Sequence, residues 1–302
     1  MRDAFCKALV ARSSEANFVF LTGDLGFRAL EPLRDVLGHR FINAGVAEQN
    51  MISVAAGLAR GGLRPWVYSI APFIYARPFE QIRNDVCLHN LPVVLVGNGG
   101  GYGYGVMGPT HHALEDYGVL LTLPNLRAFV PAFDGDVEVL VPRLMQGGHP
   151  AYLRLGLSEQ PKDMTLPAYA PWRRLLDGDG PTVLVVGPLV GGLIDAARKI
   201  DRRRPTVWLL SELPCPPFPP QFLEDLGRSG WLTVVEEHVA RGSAGEMIAR
   251  QLLLEGKAPR RFIHRTASNV VGGRYGSQKF HRRECGIDPA AVLAALNLEG
   301  IP

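Results

Sequence analysis

Short apolar runs rich in β-branched residues recur along the chain, separated by stretches long enough to hold a helix. In the first half they fall at 17–21 (NFVFL), 64–70 (RPWVYSI), 92–97 (PVVLVG), 126–130 (LRAFV) and 151–155 (AYLRL). The intervals carry helical patterns near 46–60, 78–89, 112–121 and 134–146. Runs that are apolar at nearly every position suit strands covered on both faces, and the long intervals suit crossover helices. An open parallel α/β sheet is predicted. From about Gly156 to Gly180 the rhythm breaks, with several prolines and no clear period. It resumes with PTVLVVG (181–187), a helix to about Lys199, PTVWLL (205–210), WLTVVEE (231–237), a helix near 243–255 and FIH (262–264). The expected organisation is an α/β domain over 1–160, a linker over 161–179 and a smaller α/β domain over 180–302. Within the second domain, the proline-rich PCPPFPP (214–220) reads as a rigid loop.

Composition narrows the function classes. The 302 residues suffice for two ordinary domains, and 47% hydrophobic with 20% charged is normal for a globular protein. The net charge of +3 comes from 32 basic against 29 acidic residues, without a basic stripe interleaved with aromatics. Nucleic acid is therefore not an expected partner. The short runs Arg202–Arg204 and Arg282–Arg283 read as solvated surface. The opening MRDAFCKALVARSSE reads as an amphipathic helix and not a signal peptide. No apolar run reaches the roughly 18 residues that a membrane span needs. Cys6, Cys87, Cys215 and Cys285 form no CxxC pair, so neither a disulfide framework nor a zinc site is expected, and a cytoplasmic location fits.

The most informative segment is FINAGVAEQNMISVAAGLARGGLRPWVYSI (41–70), which places Glu48 in the first turn of a helix. A glutamate there is common, because the helix dipole favours an anion, so the position alone says little. The whole string says more. GVAEQNM followed by AAGLA closely resembles the glutamate motif of the transketolase family's pyrimidine-binding domain. The resemblance implies thiamine diphosphate as cofactor, with Glu48 bonding a ring nitrogen of its aminopyrimidine and stabilising the imino tautomer. That role needs a carboxyl group sequestered from water and able to share a proton. Aspartate would be too short, and glutamine could not exchange the proton.

The resemblance continues in the same order along the chain. LTGDLG (21–26) is similar to the family's acidic loop, which puts Asp24 in the lining of the cofactor site. APFIYARPFEQIRNDV (71–86) resembles the segment whose aromatics stack on the aminopyrimidine, with Phe73 the first choice for that role and Tyr75 the second. GYGYGVMGPTHHALED (101–116) contains the family's GPTH motif. By that match His111 faces the reactive centre, where an imidazole donates to a developing alkoxide or shuttles a proton, while His112 faces elsewhere. LTVVEEHVARGSAGEMIARQL (232–252), RYGSQ (274–278) and CGIDPAAVLAAL (285–296) resemble the family's C-terminal domain, which implies subunit contacts and no catalysis.

Two departures from the family's pattern matter. The family holds Mg²⁺ with a GDG motif followed, some thirty residues on, by an asparagine pair. Here Gly178, Asp179 and Gly180 precede a strand and no Asn-Asn pair follows, so the motif reads as a turn and no metal ligand is assigned. The resemblance then implies that Mg²⁺ and the diphosphate are held by a separately encoded N-terminal subunit, in an α2β2 assembly. The second departure lies at the substrate end. Positions where the family binds a sugar phosphate and a sugar hydroxyl fall here on Gly99, Arg28, Leu157 and Met107. A leucine cannot replace the bidentate contact of a guanidinium. The expected activity is transfer of a two-carbon ketol unit from a ketose or 2-oxo acid donor to a specialised aldehyde-type acceptor. One alternative is a 2-oxo acid decarboxylating carboligase, like deoxyxylulose phosphate synthase or the pyruvate dehydrogenase β subunit. The other is a non-catalytic regulatory or scaffold subunit that kept the fold.

Overall fold

The computed structural model describes residues 1–26, 29–268 and 273–296. Among these, the first half contributes β1 (Phe18–Thr22), β2 (Phe41–Asn43), β3 (Arg64–Ile70), β4 (Val94–Asn98), β5 (Arg127–Phe129) and β6 (Ala151–Leu155). They pair in parallel in the order β5-β6-β4-β3-β1-β2. Period-two alternation sends successive side chains to opposite faces. Phe18 and Phe20 pack with Phe5, Trp66 and Tyr68 on one side, while Val19 and Leu21 pack with Met51, Ile52 and Ala55 on the other. Every residue of β1 is buried, as a strand sandwiched between helices requires.

The second half forms another sheet, from β7 (Trp172–Leu176), β8 (Thr182–Val186), β9 (Thr206–Leu210), β11 (Trp231–Val235) and β12 (Arg261–Arg265). Its order is β12-β11-β8-β9-β7, parallel except for β7. The mixed α/β architecture with two mainly parallel sheets is the one expected. No helix among the described residues is long and apolar enough to cross a membrane.

The structure departs from expectation in three places. Residues 172–176, expected within the linker, are the antiparallel edge strand β7. Its arginines hide it from an apolar pattern: Arg173 is buried against Asp136, and Arg174 bonds Asp225. The GDG sequence that follows lies between β7 and β8, where a Cβ on Gly178 or Gly180 would sit 2.0 Å from the backbone carbonyls of Arg204 and Arg203. The second departure is β10 (Glu212–Leu213), which leaves the second sheet and pairs antiparallel with β5 at the edge of the first. Its Glu212 is buried and meets Arg127, Arg143 and Tyr169. The third is the helix expected over 112–121, which is confined to Asp116–Leu120 because Ala113 bridges to Gly101 instead.

Below β11, the EEH sequence ties the two sheets together. The Glu236 carboxylate accepts from the backbone N–H of Ala244 and Gly245 at the start of helix Ala244–Leu254, from His264 at 2.7 Å, and from the Tyr117 hydroxyl. Burial pushes its pKa up, but the bonds from His264 and Tyr117 and the neighbouring His238 win and hold it below 4.5. Glu237 accepts from the Tyr102 N–H, Gln278 and Arg282. His238 stacks on Tyr117 at 4.0 Å, donates from Nδ1 to the Val239 carbonyl and accepts from the Gly118 N–H at Nε2. Across the same seam, buried Arg154 bonds Asp116 at 2.7 Å and the carbonyls of Ala113 and Glu237.

Two outcomes follow from this seam. Arg154→Met strands the buried Asp116 carboxylate, and a loss of about 3–5 kcal/mol is expected, read as a lower urea midpoint. Burial also lowers the pKa of His112 and His238, so the folded chain favours their neutral forms. Above an unfolded value of about 6.5 they add no pH dependence. As pH falls below it, the unfolded chain takes up protons that the folded chain refuses, and stability drops. Glu236 adds a second loss as pH falls from 4.5 through its lower folded value. Urea midpoints measured from pH 8 to pH 3 should therefore fall in two stages.

Candidate active site

The residues singled out in the sequence emerge at the carboxyl ends of the first sheet's strands, where open α/β sheets bind ligands. Asp24 follows β1, Glu48 follows β2, Phe73 follows β3, the 99–111 loop follows β4 and Leu157 follows β6. Beyond β2 the backbone turns through Gly45 (φ +69°) into helix Glu48–Arg60. A side chain just before the turn locks this bend. Asn43 Oδ1 accepts from the N–H groups of Asp24 and Gly45, and its Nδ2 donates to Asp24 Oδ1.

Glu48 is only 4% exposed although it stands at a helix start facing the strand ends. Its Oε1 accepts from Arg77 Nη1 at 2.8 Å. The Arg77 guanidinium lies over the Phe73 ring, 4.0 Å from its centroid. Phe73 in turn meets the His111 imidazole edge-to-face at 5.2 Å. Glu48, Arg77, Phe73 and His111 thus form a continuous chain of contacts. His111 exchanges a hydrogen bond with the Thr110 hydroxyl through Nδ1 at 2.9 Å, which steadies the ring.

Other expectations resolve differently. Tyr75 is buried in the core and donates its hydroxyl to Glu115 at 3.0 Å, so it belongs to the scaffold and Phe73 is the ring beside Glu48. Asp24 is exposed and opens onto a hollow of about 450 Å³ lined by Thr22, Leu25, Arg34, Phe41 and Asn43. None of Glu48, Phe73 and His111 lines that hollow; Asp24 is linked to the Glu48 turn through Asn43. Met107 is exposed on the 3₁₀ turn Gly105–Met107. Leu157, 60% exposed, lines a separate hollow of about 390 Å³ with Arg2, Asn98, Gly99 and Tyr104. Arg28 lies outside the described residues. His112 faces inward and bonds the Gly105 carbonyl between Tyr102 and His281.

Three residues that the sequence pattern does not single out help to build the site. Arg77 stands in the turn just past the short helix Ala71–Tyr75, and its guanidinium folds back over Phe73. Asn43 is the clamp described above. Tyr104 packs its ring directly over Gly99, where a Cβ would meet it at 2.3 Å, and its hydroxyl accepts from Asn98 Nδ2. A side chain at position 99 is excluded by Tyr104 itself. The second domain props the same loop from below. A Cβ on Gly105 would strike Gly276 and Gln278, and one on Gly108 would strike the Tyr275 ring. Among the described residues, no group of three or more His, Cys, Asp or Glu side chains is arranged to hold a metal.

Comparison with known proteins adds an independent line. Residues 1–161 match the family described as transketolase, pyrimidine binding domain. The chain belongs to this transketolase family. Among its curated relatives is one subunit of the apulose-4-phosphate transketolase of Actinobacillus succinogenes, 29% identical over 84% of this chain and 83% of that protein. Another is the 1-deoxy-D-xylulose-5-phosphate synthase 2 of Geobacter sulfurreducens, 31% identical over 78% of this chain but only 40% of the synthase. Of the solved structures, a split-gene transketolase described as an inactive β4 tetramer superposes with a TM-score of 0.83 at 28% identity, covering 98% of this chain and 96% of that one. The transketolase of Campylobacter jejuni shares the fold at 17% identity and a TM-score of 0.76, with 46% of its length covered.

The Tyr104–Gly99 contact is open to test. Gly99 sits at φ +75°, so Gly99→Ala combines a strained backbone with a clash against the ring. A loss of about 1–3 kcal/mol is expected, seen as a lower melting temperature that Tyr104→Ala partly restores in the double variant.

Proposed function

We propose that this chain is the pyrimidine-binding half of a thiamine-diphosphate enzyme that transfers a two-carbon ketol unit, working with a separately encoded subunit that holds the diphosphate and Mg²⁺. One observation carries the reading. The buried Glu48 carboxylate and the Phe73 ring already accept a flat, delocalised group that donates N–H to the one and stacks on the other, namely the Arg77 guanidinium. An aminopyrimidine is likewise flat and delocalised, and its ring nitrogen carries an N–H in the plane in the imino form, so the residues present fit the cofactor's ring. The relatives named as single subunits of an apulose-4-phosphate transketolase, matched along most of their length, support the split organisation; an α2β2 assembly is the arrangement we propose.

Thiamine diphosphate, when bound, supplies the electron sink that lets a carbon–carbon bond beside a carbonyl break and re-form. The chain's own residues do the rest. Phe73 orients the pyrimidine by stacking. Glu48, shielded from water at a helix start, holds and returns a proton through Oε1. His111, steadied through Nδ1, donates from Nε2 to a substrate oxygen as negative charge grows there. Asp24 borders the cofactor side through the Asn43 clamp. Met107 and Leu157 are apolar and exposed at positions where the resemblance expects polar substrate contacts, which suits an acceptor other than the usual sugar phosphates. Similarity to the deoxyxylulose phosphate synthase favours a second reading, in which the donor is a 2-oxo acid that loses CO₂.

The test is reconstitution with the diphosphate-binding subunit, thiamine diphosphate and Mg²⁺. With xylulose 5-phosphate or apulose 4-phosphate as donor, cleavage of the ketose is expected, and Glu48→Gln should slow it by about 10²-fold or more. CO₂ release from pyruvate with no ketose cleavage would replace the first reading by the second. Full activity in Glu48→Gln would refute both.

A further inference from the structure

Arg77 touches both halves of the proposed pyrimidine seat. Its Nη1 donates to Glu48 Oε1 at 2.8 Å, and its guanidinium carbon stands 4.0 Å from the centre of the Phe73 ring. A guanidinium is a planar, delocalised cation with N–H groups in its plane, and it stacks on aromatic faces as an ammonium group does not. The pyrimidine ring calls on the same carboxylate and the same aromatic neighbour. One carboxylate oxygen and one short stretch of ring face cannot fully serve both groups.

We propose that Arg77 is a positioning residue that competes with the cofactor's pyrimidine for Glu48 and Phe73, so that its release sets cofactor affinity. The inference rests on the function proposed above. Two features make the exchange practicable. Arg77 is 46% exposed, so its side chain reaches water by rotating about its own stem, with little desolvation to reverse. Glu48 is 4% exposed, and a buried carboxylate is costly without a partner. Arg77 therefore keeps Glu48 paired and aimed at the seat until a second N–H donor takes over. Phe73 lies in the short helix Ala71–Tyr75 and Arg77 in the turn just beyond it, which places the guanidinium over the ring.

The test uses thiamine, which carries the pyrimidine without the diphosphate, titrated into the full chain and followed by calorimetry. Arg77→Ala should bind it about three- to tenfold more tightly than the parent, the range that an ion pair with one half-exposed partner and a cation–π contact together would supply. Arg77→Lys, which keeps the charge and loses the plane, should fall between the two. Methylguanidinium should compete with thiamine for Arg77→Ala and not for the parent, since only the variant leaves the guanidinium's place open. Unchanged or weaker binding in Arg77→Ala overturns the inference, as does failure of every Arg77 variant to bind. If binding is unaffected by both Phe73→Ala and Glu48→Gln, the pyrimidine seat itself is wrong and this inference goes with it. If those two weaken binding while Arg77→Ala does not strengthen it, the seat stands and only the role of Arg77 fails.

Discussion

The buried guanidinium of Arg154 joins its own strand to two parts of the chain that are far from it in sequence. From β6 it bonds the Asp116 carboxylate, the Ala113 carbonyl and the Glu237 carbonyl, so one side chain fixes the loop carrying His111 against both sheets. A buried arginine is tolerated only when its donors are matched, and here the pairing partner is itself buried and also bonded by the Tyr152 hydroxyl. Around this contact the EEH seam adds the Glu236 and Glu237 carboxylates and the neutral His238. The loop is long and rich in glycine, and would have many conformations if it were not held at this point.

That constraint explains why a second domain, none of whose described residues stands at the proposed chemistry, still matters to it. Gly105 and Gly108 lie against the backbone and ring of the 275–278 segment, so the path of the loop toward His111 depends on that segment of the second domain. β10 reinforces the arrangement by crossing from the second sheet to the edge of the first. The two α/β units are joined by paired strands and by buried ion pairs, not by a flexible tether alone.

Much of this was legible in the chain. Strands buried on both faces announce themselves as unbroken apolar runs, and the glutamate motif locates Glu48 because its string is distinctive. β7 was not legible, because its two arginines satisfy buried carboxylates and so break the apolar pattern that signals a strand. Tyr75 and Phe73 are two residues apart, and sequence spacing did not tell which of the two rings lies beside the carboxylate. Packing decided it: Tyr75 found Glu115 inside the core, and Phe73 remained at the surface with Arg77 and His111.

The sequence by itself determined the fold class, the order of the strands along the chain and the identity of the chemical groups, since these depend on periodicity and on local strings. Only the tertiary structure decided which groups meet. Glu48 with Arg77, Gly99 with Tyr104 and Arg154 with Glu237 are contacts across turns or between sheets, set by how the strands pair and where a ring or a guanidinium fits. Separation along the chain carries no record of such contacts, because one strand order admits many ways of closing the loops above it.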